Sequence, residues 1–268
     1  MPGVPELTLF EFDLVYNFFS FTFASMFAAF IFFVLSRPQV APQYRSALTM
    51  SALVVAVAGY HYFRIFESWG ASYVLNEAGD AYIFSGALFN DAYRYIDWLL
   101  TVPLLVAELI YVINPKNKGR LTFSLATAAA LMVILGYPGE ISADMGTRAV
   151  WGFLSTIPFI YIVWQLFTGL GDAMQEQGEE VSVLIRNTRL LLFATWGFYP
   201  IVYMLPFLGG MTAGALVAVQ VGYCIADVAA KAGYGVMIYA IAAKKSEAAG
   251  YDIATMSQPQ SVAAPAGD

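Results

Sequence analysis

Charge is what this sequence has least of. Only 12% of its 268 residues are Asp, Glu, Lys or Arg, against 59% hydrophobic ones, too little polar surface for a soluble domain of that size. A single cysteine, Cys224, rules out an intrachain disulfide. The single histidine, His61, has no second His or Cys near it in sequence, which argues against a metal centre. The first ten residues lack a basic stretch and carry Glu6, so no cleavable signal peptide is expected. No repeat of fixed period runs through the chain, which excludes solenoids, and no nucleic-acid partner is expected.

What the chain does have is apolar runs long enough to cross a bilayer. Roughly 20 apolar residues make one spanning helix, and seven such runs lie at roughly 10–36, 46–70, 88–113, 120–138, 146–171, 181–207 and 212–243. The expectation is an all-α membrane protein: one seven-helix bundle over residues 1–245, embedded in lipid, with 246–268 a disordered tail rich in Ala, Gln, Ser and Pro. The acidic stretch from Glu67 to Asp91 has room for a short hairpin. Orientation follows the basic residues. Arg37, Arg45, Lys116, Lys118, Arg120, Arg186, Arg189, Lys244 and Lys245 fall in alternate loops or the tail, so that side is read as cytoplasmic and the N-terminus as external. The expected location is the plasma membrane.

Ionisable residues inside a spanning run are costly and mark function by default. On the third run Arg94, Asp97, Thr101 and Glu108 are spaced to share one helical face. Asp97 and Glu108 are three turns apart, about 16 Å of rise, one acid near mid-membrane and one toward the cytoplasm. On the seventh run Asp227 and Lys231 stand at i and i+4. A buried seam between helices explains either pair alone, but not two carboxylates, an arginine and a lysine at similar depth. Were Lys231 a protonated imine, Asp97 and Asp227 would balance it and Arg94, leaving a neutral cluster whose counterion keeps the proton bound. Glu108, among Val106, Ala107, Leu109 and Ile110, has no basic neighbour, and burial favours its neutral, proton-bearing form.

The stretch Arg94-Tyr-Ile-Asp97-Trp98-Leu-Leu-Thr101-Val-Pro103-Leu-Leu, with Asp227-Val-Ala-Ala-Lys231 and Trp196-Gly-Phe-Tyr199-Pro200, resembles the microbial (type 1) rhodopsins over all seven runs. The resemblance implies all-trans retinal on Lys231, with Asp97 as proton acceptor and Asp227 as second counterion. It implies tyrosines on Asp227 at Tyr62 and Tyr199. A retinal pocket is implied at Trp98, Leu105, Met132, Gly136, Ser155, Phe159, Trp196, Tyr199 and Pro200. Asp97, Thr101 and Glu108 together are similar to the proteorhodopsin and xanthorhodopsin proton pumps, with Glu108 as donor, His61 paired with the acceptor and Arg94 directing the exit. Leu105 implies green absorption.

The function expected is a light-driven outward proton pump, with a photosensory receptor as the alternative. The tail after Lys245 is too short for an appended catalytic domain, so a transporter rather than an enzyme is expected. Relatives form pentamers or trimers, and a homo-oligomer is expected, the pentamer ahead. Gly152 stands where a bulky aromatic usually covers the retinal ring. Small residues serve close helix contacts, but in xanthorhodopsin-like proteins the equivalent opening admits a hydroxylated carotenoid antenna. Glu67, Asp91, Glu140 and Asp144 are candidate external release groups that spacing does not separate.

Overall fold

Thr8 opens the first helix with a capping box: its hydroxyl accepts from the Glu11 amide at 3.2 Å while the Glu11 carboxylate accepts from the Thr8 amide at 2.9 Å. From there the computed structural model describes residues 5–251, apart from 91, 143, 171, 172, 175 and 209–211. Helices α1 (Leu9–Ser36), α2 (Arg45–Ser72), α3 (Tyr93–Ile113) and α4 (Lys118–Glu140) form the first four spans. The fifth is α5 (Met145–Trp164), continued by a π-helical turn at Gln165–Gly169.

The sixth span is broken where the apolar pattern reads as continuous. Helix α6 (Glu179–Trp196) stops at Gly197, and a short α7 (Phe198–Met204) resumes beyond it. Pro200 has no amide hydrogen to bond the carbonyl four residues back, which explains the break at Trp196–Gly197. The seventh span is α8 (Ala213–Asp227), a π-helical segment at Val228–Gly233 and α9 (Tyr234–Ala248). Six spans are long and apolar enough to cross a membrane unbroken, the divided sixth being the exception. With it the molecule is a seven-helix membrane bundle.

The hairpin expected after α2 is present as β2 (Tyr73–Leu75) and β3 (Ala81–Phe84), and β1 (Leu7–Thr8) adds a third strand on the far edge of β3. That strand was not foreseen. The apolar interior runs between the spans through Leu105, Leu109, Leu125, Ile162, Ile185 and Tyr234. Outward faces carry Phe10, Phe21, Phe27, Phe123 and Phe153, each more than half exposed, as a surface against lipid chains requires.

Three sequence expectations need correction. Arg186 and Arg189 lie within α6 rather than in a loop, and Arg189 is buried, donating to the Leu166 carbonyl at 2.9 Å beside the π-helical turn. Lys245 is not a free tail charge: Nζ donates to the Val112 and Ile113 carbonyls at 3.0 and 2.8 Å, satisfying the C-terminal end of α3. The tail boundary at 246 falls too early, because α9 runs to Ala248 and the Tyr251 hydroxyl bonds Arg45 and the Pro38 carbonyl. Residues 252–268 lie outside the described part.

Candidate functional site

The face expected on α3 is real. Arg94, Asp97, Thr101 and Glu108 are each no more than 2% exposed, and the Thr101 hydroxyl bonds the Asp97 carbonyl at 2.9 Å. Lys231 comes from the π-helical segment of the seventh span, a deformation frequent at functional positions. Its Nζ lies 2.9 Å from Asp97 Oδ2 and 2.8 Å from Asp227 Oδ1, with all three side chains essentially removed from solvent. One cation thus sits between two carboxylates, which offsets the desolvation that either charge would suffer alone.

The two carboxylates are held differently. Asp227 accepts from Tyr62 Oη at 2.7 Å and from Tyr199 Oη, the two tyrosines that the sequence singled out. Asp97 has the Lys231 ammonium as its close partner. His61 does not hydrogen-bond Asp97: its Nδ1 engages the Val57 carbonyl at 2.9 Å, one turn back on α2, although the ring is near enough to act on Asp97 electrostatically. Arg94 points away from Lys231, donating to Gln220 Oε1 at 2.6 Å, with its guanidinium 4.4 Å from the Tyr223 ring centre.

Glu108 stands apart, as expected, with one addition. The Ser51 hydroxyl of α2 donates to its Oε2. Ser51 and Gln220 are site residues that sequence reading missed. A serine inside an apolar run and a glutamine two turns before the Asp227–Lys231 pair carry no charge to flag them.

Of the candidate release groups, Glu67 pairs with Arg64 at 3.4 Å and Glu140 with Arg148 at 2.5 Å. Asp144 caps α5. Hydrogen bonds from Thr147 hold its carboxyl below the usual carboxylate range. Asp91 lies outside the described residues.

Lys231 lines a cavity of about 500 Å³. Trp98, Trp196 and Tyr199 flank it, Leu105, Met132 and Phe159 line its middle, and Ser155, Pro200 and Gly136 complete the wall. At Gly136 a Cβ would come 3.3 Å from Ser155 Oγ and 3.6 Å from the Tyr95 ring, so glycine keeps that wall open. A mostly apolar cavity lined by a buried lysine and several aromatic rings fits an apolar group joined at Nζ. Tyr62 is outside the cavity and acts through Asp227. Beyond Gly136 the cavity continues past Gly152 to Phe153 and Phe207. The room left by Gly152 is taken by Tyr203, whose Cε1 would be 2.6 Å from a Cβ there, so the glycine also serves the close contact between α5 and α7.

A family model of bacteriorhodopsin-like proteins matches residues 14–245. The chain is 28% identical over 228 residues to the green-light absorbing proteorhodopsin of Gamma-proteobacterium EBAC31A08, covering 83% of this chain and 84% of that one. Among solved structures it is similar to xanthorhodopsin, described as a light-driven ion pump with dual chromophore. There the identity is 58% and the TM-score 0.89, with 93% of this chain and 100% of that one covered. It is also similar to a thermophilic rhodopsin, at 48% identity and TM-score 0.89, with coverages of 92% and 99%.

Proposed function

The chain belongs to the bacteriorhodopsin-like family and is a light-driven proton pump of the microbial rhodopsin type. On that premise we propose that it moves protons outward, from Glu108 through Lys231 to Asp97. The observation that carries this reading is the Lys231 ammonium held between two buried carboxylates, with a lone buried acid farther along α3.

Lys231 and the cavity lined by Trp98 and Trp196 would hold retinal, which would supply a light-driven isomerisation. The remaining steps are the protein's own. Lys231 Nζ bears the proton in the dark, kept there by Asp97 and Asp227. Asp97 is the acceptor, because its partner is the cation itself, whereas Asp227 has two tyrosine hydroxyls to stabilise its charge throughout. Arg94, bonded to Gln220, keeps a positive charge beside Asp97 that helps direct the exit path. Glu108, buried and held at one oxygen by Ser51, keeps a proton to return to Nζ. Leu105 beside the cavity favours green absorption. His61 steadies the field around Asp97 rather than bonding it.

The basic residues at the α1–α2 turn, the α3–α4 turn and the end of α9 support a cytoplasmic C-terminus and an external N-terminus. Illuminated cells holding the retinal-loaded protein should acidify their medium, an effect that an uncoupler removes. A pigment that cycles without acidification is the result that rejects pumping in favour of sensing.

The far end of the cavity, past Gly152 to the exposed Phe153, supports a hydroxylated carotenoid lying beside the retinal as an antenna. Purified protein mixed with such a carotenoid should show energy transfer in the fluorescence excitation spectrum, and none if the contact with Tyr203 is all that Gly152 serves. The assembly proposed is a homo-oligomer, a pentamer ahead of a trimer, measurable by cross-linking in native membranes.

A further inference from the structure

On α3 between Asp97, which Lys231 contacts, and Glu108, the buried side chains are apolar apart from Thr101, whose hydroxyl is turned back to the Asp97 carbonyl. Leu105, Val106, Leu109, Ala230 and Trp196 are each no more than 4% exposed. A proton does not cross such a layer without polar groups to receive it, since unpaired charge there is heavily penalised. One phenol hydroxyl lies in this layer. Tyr234 is fully buried, and its Oη donates to the Leu105 carbonyl at 2.9 Å.

Connectivity puts that hydroxyl between the two groups. Tyr234 follows Lys231 by three residues on the seventh span, and Leu105 precedes Glu108 by three on α3. Helical carbonyls point toward the C-terminal end, so the Leu105 oxygen faces the turn that carries Glu108. Tyr234 and Glu108 are close enough to interact electrostatically. Glu108 has given Oε2 to Ser51, while Oε1 has no hydrogen-bond partner among the described residues. A phenylalanine would fill the space at 234 equally well, and the hydroxyl costs desolvation that its single bond only partly offsets.

We propose that Tyr234 is a positioning residue for reprotonation: its hydroxyl, fixed on the Leu105 carbonyl, anchors the hydrogen-bonded route by which the Glu108 proton reaches Lys231 Nζ. One proton leaves the Glu108 carboxyl and arrives at Nζ, and Tyr234 remains a neutral phenol. The inference rests on the reading of Glu108 as donor.

The test compares the retinal-loaded full chain with Tyr234→Phe and Glu108→Gln in lipid vesicles, by flash spectroscopy. Tyr234→Phe should keep the dark visible band and the rate of proton arrival at Asp97, while decay of the species deprotonated at Nζ slows about tenfold at neutral pH. Added azide, a small weak acid, should restore the decay, as a fault of packing alone would not allow. Decay at the unsubstituted rate, or a slowed decay that azide leaves unchanged, overturns the proposal. If Tyr234→Phe does not assemble a pigment, Tyr234→Leu is measured with the same readouts. Normal decay in Glu108→Gln instead overturns the donor reading, and is told apart because that variant keeps Tyr234.

Discussion

Asp97 and Asp227 touch the same ammonium but differ in what else holds them, and that difference supports the roles proposed for them. Asp227 accepts two tyrosine hydroxyls, whereas Asp97 depends on Lys231. Asp97→Asn should therefore abolish transport while retaining a visible pigment, measured as light-driven acidification beside an absorption spectrum. Ser51 donates to Glu108 Oε2, and under the proposed donor role that bond stabilises the carboxylate formed when the proton leaves. Ser51→Ala should slow reprotonation by roughly fivefold, the equivalent of about 1 kcal/mol, seen in the same flash decay. Asp144 is tied to a helix start. Its carboxyl is held below the usual range by Thr147, so it stores no proton at neutral pH, and Asp144→Asn should leave proton release unchanged. The cap it forms on α5 is fully present above the ordinary aspartate pKa of about 3.9 and is lost as pH falls through the lower, folded value. Intramembrane charges were legible in the sequence because their burial is costly and needs a reason. Ser51, Gln220 and Tyr234 were not, since a hydroxyl or amide in an apolar run costs little enough to pass as packing.

Elements were legible where one pattern ran unbroken and obscure where two distant segments had to meet. The first five spans begin and end near the expected positions, with side-chain caps at Thr8 and Asp144 fixing the starts of the first and fifth. The break after Trp196 depends on Pro200 lacking a donor, a local cause that an apolar count averages away. Strand β1 is two residues long and exists only because β3, more than 70 positions later, offers an edge. Arg189 misled because counting basic residues toward loops ignores that α6 begins ten residues earlier. Helix contacts give a sharper prediction. A Cβ on Gly235 would fall 2.8 Å from Phe33 Cε2, a ring fully buried between α1 and the seventh span. Gly235→Ala should then cost about 1–3 kcal/mol through overpacking, measured as faster loss of the visible band on heating, with the proton-transfer steps at low temperature unaffected.

For the whole molecule, the direction of transport is set by the order of three groups along the membrane normal. Asp97 and Glu108 lie on one helix, about 16 Å apart along its axis, and Lys231 contacts the first of them. Nothing in that order alone says which end faces the cytoplasm. The end of α3 beyond Glu108 is where Lys116, Lys118 and Arg120 cluster, and where Lys245 caps the helix from α9. Insertion favours such a basic end inside, which under the proposed function puts Glu108 on the cytoplasmic side of Lys231 and Asp97 on the outer side. Whole cells should acidify the medium in light, and inverted vesicles from the same cells should take protons up. An opposite pair of signs would reverse the orientation without touching the chemistry at Lys231. Loss of both signals in Asp97→Asn, with orientation checked by labelling a cysteine placed at Lys116, separates a failed pump from a misread topology.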